Sequence, residues 1–105
     1  MAAFEWDEAK RQEILNERDF DILDAARMFD NPETMEVWVD RRKREENRLN
    51  AIGLVDGVWY EIAYVERGDV IRLITAWKLN EKSRRKAQAR YSRRVERDEE
   101  EGRDS

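Results

Sequence analysis

Two runs of β-forming residues, Arg48–Val55 and Val58–Val65, are separated only by the dipeptide Asp56-Gly57. This dipeptide is typical of a two-residue turn between antiparallel strands, because Asp and Gly tolerate the positive φ angles that the turn needs. A second turn signal, Gly68-Asp69, leads into a third run, Val70–Trp77. These connections are shorter than the dozen or more residues of a parallel crossover, so we expect the strands to pair antiparallel in chain order.

A further strand is predicted before these runs, where Met35, Val37 and Val39 alternate with polar or amphipathic neighbours. The charged stretch that follows, 41–47, is too polar to be buried and is expected to form a loop or a twisted extension of a strand.

Helical patterns precede and follow the predicted strands. Asp7 and Asp21 are suited to cap two short helices, of which the second ends before Pro32. Asn80 is suited to cap a last helix. The sequence therefore predicts an α+β domain with two N-terminal helices, a four-stranded antiparallel sheet and a C-terminal helix, whose helices cover one sheet face and leave the other partly open.

Charge is distributed unevenly along the 105 residues, of which 44% are charged. Residues 1–36 hold four basic and eleven acidic groups, whereas residues 79–97 hold eight basic and two acidic ones. Such a basic segment can meet phosphates. We expect a single domain over 1–97 and a disordered acidic tail over 98–105, which contains no apolar residue.

The chain contains neither cysteine nor histidine, which excludes disulfides, thiol nucleophiles and histidine-based acid/base or metal sites. No carboxylate cage for a metal ion is evident, and we expect no cofactor. The sequence has neither a membrane-spanning apolar stretch nor a secretory signal, so we expect a cytoplasmic protein without membrane contact.

Four segments together resemble the BrnT family, the ribonuclease toxins of bacterial type II toxin–antitoxin pairs. The segments are Phe4–Lys10, Asp24–Pro32, Ala51–Gly57 and Ile71–Trp77. The resemblance implies a compact fold like that of the RelE toxins and RNA cleavage that inhibits translation. It also implies neutralisation by a BrnA-type antitoxin with a ribbon-helix-helix domain, through which alone the toxin would reach operator DNA.

The chain departs from the family pattern at three places. Family members usually carry Lys-His-Gly where this chain has Glu17-Arg18-Asp19, so the family histidine is missing. The family element Gly-Glu-x-Arg corresponds to Glu45-Glu46-Asn47-Arg48, which keeps the glutamate and the arginine. The usual strand end Ser-Ala-Arg corresponds to Thr75-Ala76-Trp77.

RNA cleavage by the neighbouring 2′-hydroxyl needs a base, an acid and cations that face the charged phosphorane. Arg72, Arg67, Arg48 and Lys78 are candidates for the cationic groups, because fixed donors aimed at developing charge contribute strongly to catalysis. Arg72 is the leading candidate, since it lies within an apolar strand. Its alternative role is a salt bridge with Glu46 or Asp69.

The remaining candidates each have a structural alternative. Glu46 is either a general base or the ion-pair partner of a neighbouring arginine. Arg18 and Lys10 either bind RNA or lie on the solvated helix surface, and Tyr91 either stacks a base or packs in the core.

Three functional hypotheses follow. The leading one is a metal-independent endoribonuclease toxin that binds RNA through the basic groups of its sheet and last helix. The alternative is a catalytically degenerate toxin homologue that acts as an antitoxin-binding co-repressor module. A plain RNA-binding domain rests only on the basic segment 79–97.

Overall fold

The computed structural model describes residues 3–103, with side chains described as far as Glu101. The helices and strands in chain order are β1 (Ala3–Trp6), α1 (Glu8–Arg18), α2 (Ile22–Ala25), β2 (Glu36–Val39), β3 (Arg48–Val55), β4 (Val58–Arg67), β5 (Val70–Lys78) and α3 (Glu81–Arg103). Three short 3₁₀ segments lie at Ala26–Asp30, Pro32–Thr34 and Arg41–Glu46.

The sheet has five strands in the order β1-β5-β4-β3-β2. Strands β2 to β5 form an antiparallel meander, and the Asp56-Gly57 hairpin pairs Val55 with Val58. Both turn residues have positive φ angles, 47° for Asp56 and 82° for Gly57, as the turn type requires. The antiparallel pairing of β2 to β5 in chain order agrees with the prediction, but the sheet contains one more strand than predicted.

The prediction of a four-stranded antiparallel sheet is wrong because β1 adds a fifth strand parallel to β5. Short connections exclude a parallel crossover only after Val55, whereas β1 and β5 are joined through most of the domain, which leaves room for a crossover. Phe4 and Trp6 of β1 pack against the core, and Glu5 between them faces the other way. Four residues are too few for this alternation to stand out from a helix-capping pattern.

One face of the sheet, here called the helical face, is covered by α1, α2 and the 3₁₀ segment Ala26–Asp30. Asp7 caps α1 and Asp21 caps α2, as predicted, by accepting hydrogen bonds from the first backbone N–H groups of each helix. The core under these helices includes Ile14, Ile22, Phe20 and Met28 from the helical layer and Ala51, Ile62, Tyr64 and Leu73 from the sheet.

The opposite face, here called the α3 face, is partly covered by the last helix. Asn80 caps α3 through the backbone N–H of Ser83, and Ala87 and Tyr91 pack against Ile52 and Trp59. The helices therefore lie on both faces of the sheet, and the expectation that they share one face is wrong. The cause is the strand alternation, which places Trp59 and Ile52 opposite to the larger core and gives α3 an apolar surface of its own.

Helix α3 continues to Arg103, through most of the acidic segment 98–105. The predicted disorder of this tail stays a prediction, and its last two residues lie outside the described residues.

Candidate functional site

The half of the α3 face that α3 leaves uncovered is here called the open half. Its floor is a row of small side chains that lie opposite one another on three strands, namely Asn50, Ala63 and Thr75. All three are buried, because larger side chains rise around them. The open half is therefore a depression with polar groups at its base.

Arginines from three strands lie together at one end of this depression. Arg48 lies opposite Val65, and Val65 lies opposite Arg72, so both arginines share one face of the sheet. Arg67 follows two residues after Val65 and therefore lies on the same face. The register thus brings Arg48, Arg67 and Arg72 around a single valine, with about 10 Å between the outer two strands.

Arg48 and Arg72 contact different carboxylates. Glu46 accepts a hydrogen bond of 2.9 Å from Arg48, so this glutamate orients one arginine of the cluster. The Nε atom of Arg48 is buried and finds no hydrogen-bond partner within residues 3–103. Arg72 lies 3.6 Å from Glu5 of β1, not from Glu46 or Asp69. The predicted salt bridge of Arg72 with Glu46 or Asp69 is wrong, because the parallel strand β1 places Glu5 beside Arg72.

Arg18 reaches this face from the end of α1. Strand β1 pairs only with Val70–Leu73, so the later part of the β5 edge is free. There Arg18 donates hydrogen bonds of 2.8 Å to the Thr75 hydroxyl and to the carbonyl of Ala76. Its guanidinium carbon also lies 5.3 Å from the centre of the Trp77 ring. Arg18 is thus a fixed cation at the edge of the depression and not a solvated helix end.

Three other predicted site residues lie elsewhere. Lys10 forms a 2.8 Å ion pair with Glu13 on the surface of α1. Lys78 faces the helical side, where its ammonium lies 5.8 Å from the centre of the Phe20 ring. Tyr91 packs edge-on against Trp59.

The 3₁₀ segment Arg41–Glu46, here called the basic segment, lies beside the open half. It is anchored by Asp40, which is 7% exposed. Burial opposes ionisation of Asp40, but hydrogen bonds from the Arg42 backbone and from Asn50, with the charge of Arg42, hold its pKa below the usual value. A cavity of about 550 Å³ lies between Trp38, Asn50, Arg41 and Arg42.

Glu61 is a candidate site residue that the sequence prediction does not include. It lies on the α3 face between Ile52 and Trp77 and lines a second cavity of about 160 Å³. Burial raises the pKa of Glu61, the charge of Arg42 partly opposes this effect, and Asp40 adds to it. The signal was present in the sequence, because Glu61 is the one charged residue within the run Val58–Val65.

Two large aromatic side chains remain accessible on this face. Trp38 is 42% exposed and Trp77 is 39% exposed, whereas Trp59 under α3 is 3% exposed. Trp38 and Trp77 lie on β2 and β5, three strand spacings apart, or about 14 Å. Exposed indole rings of this kind are suited to stack nucleobases.

Two further observations concern the described residues 3–103. Within them, no group of three or more acidic side chains is arranged to hold a metal ion. No helix in the same range is long and apolar enough to cross a membrane.

Comparison with known families decides the relationship. Residues 6–83, about three quarters of the chain, match the family described as the ribonuclease toxin, BrnT, of type II toxin–antitoxin systems. The chain belongs to the BrnT family. The resemblance inferred from the sequence is thereby confirmed. No curated protein matches the chain at a comparable level.

Membership of the BrnT family indicates a ribonuclease toxin of a type II toxin–antitoxin system, and hence an RNA target and an antitoxin partner. The matched range includes Arg48, Glu61, Arg67 and Arg72, but ends within the first turn of α3. The uncovered half of the sheet therefore falls within the family-defining part of the chain.

Proposed function

We propose that this chain is an endoribonuclease that cleaves RNA within the open half of the α3 face and thereby inhibits translation. The observation that carries the proposal is the register that brings Arg48, Arg67 and Arg72 onto one face. The same face presents the exposed rings of Trp38 and Trp77. Clustered guanidinium groups and accessible aromatic rings are the groups that bind phosphates and stack bases in single-stranded RNA.

In this proposal the arginine cluster stabilises the phosphorane. Arg72 is 35% exposed and only loosely held by Glu5 at 3.6 Å, so its guanidinium can turn to a phosphate. Arg67 is exposed at the end of β4. Donors that are already in place when charge develops contribute about 10²–10³ each in rate.

Glu46 and Arg18 have supporting roles. Glu46 positions Arg48 through their 2.9 Å hydrogen bond. Arg18 binds a phosphate or holds Trp77 in place for stacking, but its guanidinium does not exchange protons near neutral pH. Lys10, Lys78 and Tyr91 lie away from this half of the face, and we assign them no part in cleavage.

The proposed reaction uses the ribose 2′-hydroxyl as nucleophile and needs no metal ion. The proposed partner is a BrnA-type antitoxin with a ribbon-helix-helix domain, and contact with operator DNA would occur through that antitoxin. Because the open half carries the RNA-binding groups, we expect antitoxin binding to block access to it.

The test is cleavage of a single-stranded RNA by the purified chain in the presence of a chelator. We expect products that end in a 2′,3′-cyclic phosphate, and growth arrest when the chain is expressed without its antitoxin. Activity that requires magnesium would contradict the metal-independent reaction. An intact antitoxin complex without cleavage or arrest would instead support the degenerate toxin homologue.

A further inference from the structure

The carboxylate of Glu61 lies where the open half meets α3, without an ion pair or hydrogen bond from any residue in the range 3–103. Its neighbours across the sheet are Ile52 and Trp77, neither of which offers a charge. A carboxylate in such a place is costly for the fold, because burial disfavours its charged form.

Charged groups from two elements face Glu61. Arg42 and Asp40 approach from the side of the basic segment and act on the carboxylate through their charges. Lys86 and Arg90 of α3 line the same cavity of about 160 Å³.

These four groups are not equally available. Arg90 is held by Glu36 through two hydrogen bonds of 2.8 and 2.9 Å, and Asp40 is engaged by the basic segment. Arg42, whose exposed side chain lies 3.6 Å from Asp40, and Lys86 are then the cations that would attract a phosphate next to Glu61.

We propose that Glu61 is the general base of the cleavage reaction, accepting the proton of the ribose 2′-hydroxyl; this inference rests on the ribonuclease function proposed above. A base stacked on Trp77, which lies directly opposite Glu61, would carry its ribose past the carboxylate. Arg42 and Lys86 would then face the adjacent phosphate.

The Glu61 carboxylate takes the proton from the 2′-hydroxyl, and the 2′-oxygen forms a bond to phosphorus. The bond between phosphorus and the 5′-oxygen breaks, and that oxygen takes a proton from water. The products are a 2′,3′-cyclic phosphate and a 5′-hydroxyl, after which Glu61 returns its proton to solvent.

The other candidates are less suited to this role. Glu46 is 53% exposed, and its carboxylate already accepts a hydrogen bond from Arg48. Arg18 has no lone pair to accept a proton. Burial raises the pKa of Glu61 and makes its carboxylate a stronger base than an ordinary glutamate.

The experiment measures kcat/KM for RNA cleavage from pH 4 to pH 9 with a chelator present. We expect the wild-type rate to rise with pH through an apparent pKa above the ordinary 4.5 of glutamate. Glu61→Gln should lose about 10²–10³ in rate and lack this rise, as expected for removal of a general base. Glu61→Asp should keep the rise at a reduced rate.

The matched control is Glu66→Gln, because Glu66 is an exposed glutamate on the same strand that faces the other side of the sheet. Its profile should be that of the wild type. Binding of a 2′-O-methyl RNA, which lacks the nucleophile, should change by less than about threefold in Glu61→Gln, since a base acts on the reaction and not on affinity.

Folding of the variant gives an independent readout. Since burial raises the pKa of Glu61, its ionisation destabilises the fold above that pKa and has no effect well below the ordinary value of 4.5. Glu61→Gln should therefore melt at a higher temperature than the wild type at pH 7, and this advantage should vanish well below pH 4.5.

Four results would overturn the proposal. These are an unchanged pH profile in Glu61→Gln, loss of the pH-dependent rise in Glu46→Gln instead, a loss of 2′-O-methyl RNA binding as large as the loss of rate, and a Glu61→Gln chain that melts below the wild type at pH 7. A wild type that never cleaves RNA would overturn the ribonuclease function and the role of Glu61 together. The first four results leave the ribonuclease function standing.

Discussion

The two faces of the sheet are built from alternate residues of the same strands, yet they differ in almost every physical property. On β4, Tyr60, Ile62 and Tyr64 point into the core under α1 and α2. Glu61, Ala63 and Val65 point to the α3 face, where only part of the surface is covered. One register thus separates the face that holds the larger core from the face that we propose binds RNA.

Low solvent exposure of a residue does not by itself show that the residue lies on the face that stabilises the fold. Ala63 and Thr75 are as poorly accessible as many core residues, but they lie beneath charged and aromatic side chains and not beneath a helix. Their small size creates the depression. Larger apolar side chains at these positions would bury more surface and stabilise the fold more.

Truncating one apolar residue on each face to alanine should produce the largest difference in the free energy of unfolding. Ile62 is fully buried under the helices, and Val65 on the same strand is 9% exposed on the α3 face. Ile62→Ala should lower the free energy of unfolding by about 3–4 kcal/mol and Val65→Ala by about 1–2 kcal/mol, because only the first leaves an enclosed cavity. Urea unfolding measures both, and equal losses would contradict the division between the faces.

Replacing one arginine inside the proposed site and one outside it should separate effects on RNA cleavage from effects on stability. Arg72→Ala should reduce RNA cleavage by about 10²–10³ and abolish growth arrest, since a guanidinium donor to the charged phosphorane is lost. Its free energy of unfolding should fall by no more than about 1 kcal/mol, as for other exposed ion pairs. The control is Arg27→Ala, whose partner Asp56 lies 2.7 Å away and which should cleave normally. Normal cleavage by Arg72→Ala would remove this arginine from the site.

Asp21→Ala tests the helical side alone. The Asp21 carboxylate accepts hydrogen bonds of 2.9 and 2.8 Å from Arg11 and one of 3.0 Å from the Leu23 N–H. We expect a loss of about 1–2 kcal/mol in the free energy of unfolding at pH 7, from the cap and the bidentate pair, with cleavage unchanged.

The effect of Asp21 should also depend on pH. The hydrogen bonds from Arg11 lower the pKa of Asp21 below 3.8, so its stabilisation is present above about pH 4 and is lost as the pH falls through the lowered value. The gap between wild type and Asp21→Ala should therefore close in acid. A gap that stays constant to pH 2 would show that the ion pair contributes nothing.

The smallest expected effect is a gain. Asp19 ends α1 with a φ angle of 61°, which lies in the left-handed region that favours glycine. Asp19→Gly should raise the free energy of unfolding by about 0.5 kcal/mol, because glycine adopts this conformation without a steric penalty. Thermal melting should detect the change, and a lower melting temperature would mean that Asp19 makes a compensating contact.

Local signals predicted most of the fold. Asp7, Asp21 and Asn80 cap helices as their chemistry requires, and Asp56-Gly57 forms the expected hairpin. That hairpin also determines that Arg48 lies opposite Val65, so the proximity of Arg48 to Arg67 and Arg72 follows from short-range rules.

Long-range pairings could not be predicted in the same way. Glu5 meets Arg72 only because β1 joins the far edge of β5, and no local pattern specifies such a parallel pair. The position of α3 opposite to α1 and α2 likewise depends on tertiary packing. Glu61 could have been found, since strand alternation alone places it on the face opposite to Tyr60 and Ile62.

The central claim is that RNA binds the uncovered half of the α3 face, and the four tryptophans report on it directly. Trp38 and Trp77 are exposed there, Trp59 lies under α3, and Trp6 packs on the helical face with its indole N–H bonded to Glu8. The measurement is an ¹⁵N–¹H spectrum of the indole groups during titration with a 2′-O-methyl RNA. The account predicts that the Trp38 and Trp77 signals move while the Trp6 and Trp59 signals stay. Movement of Trp6 with Trp38 and Trp77 unchanged would contradict it.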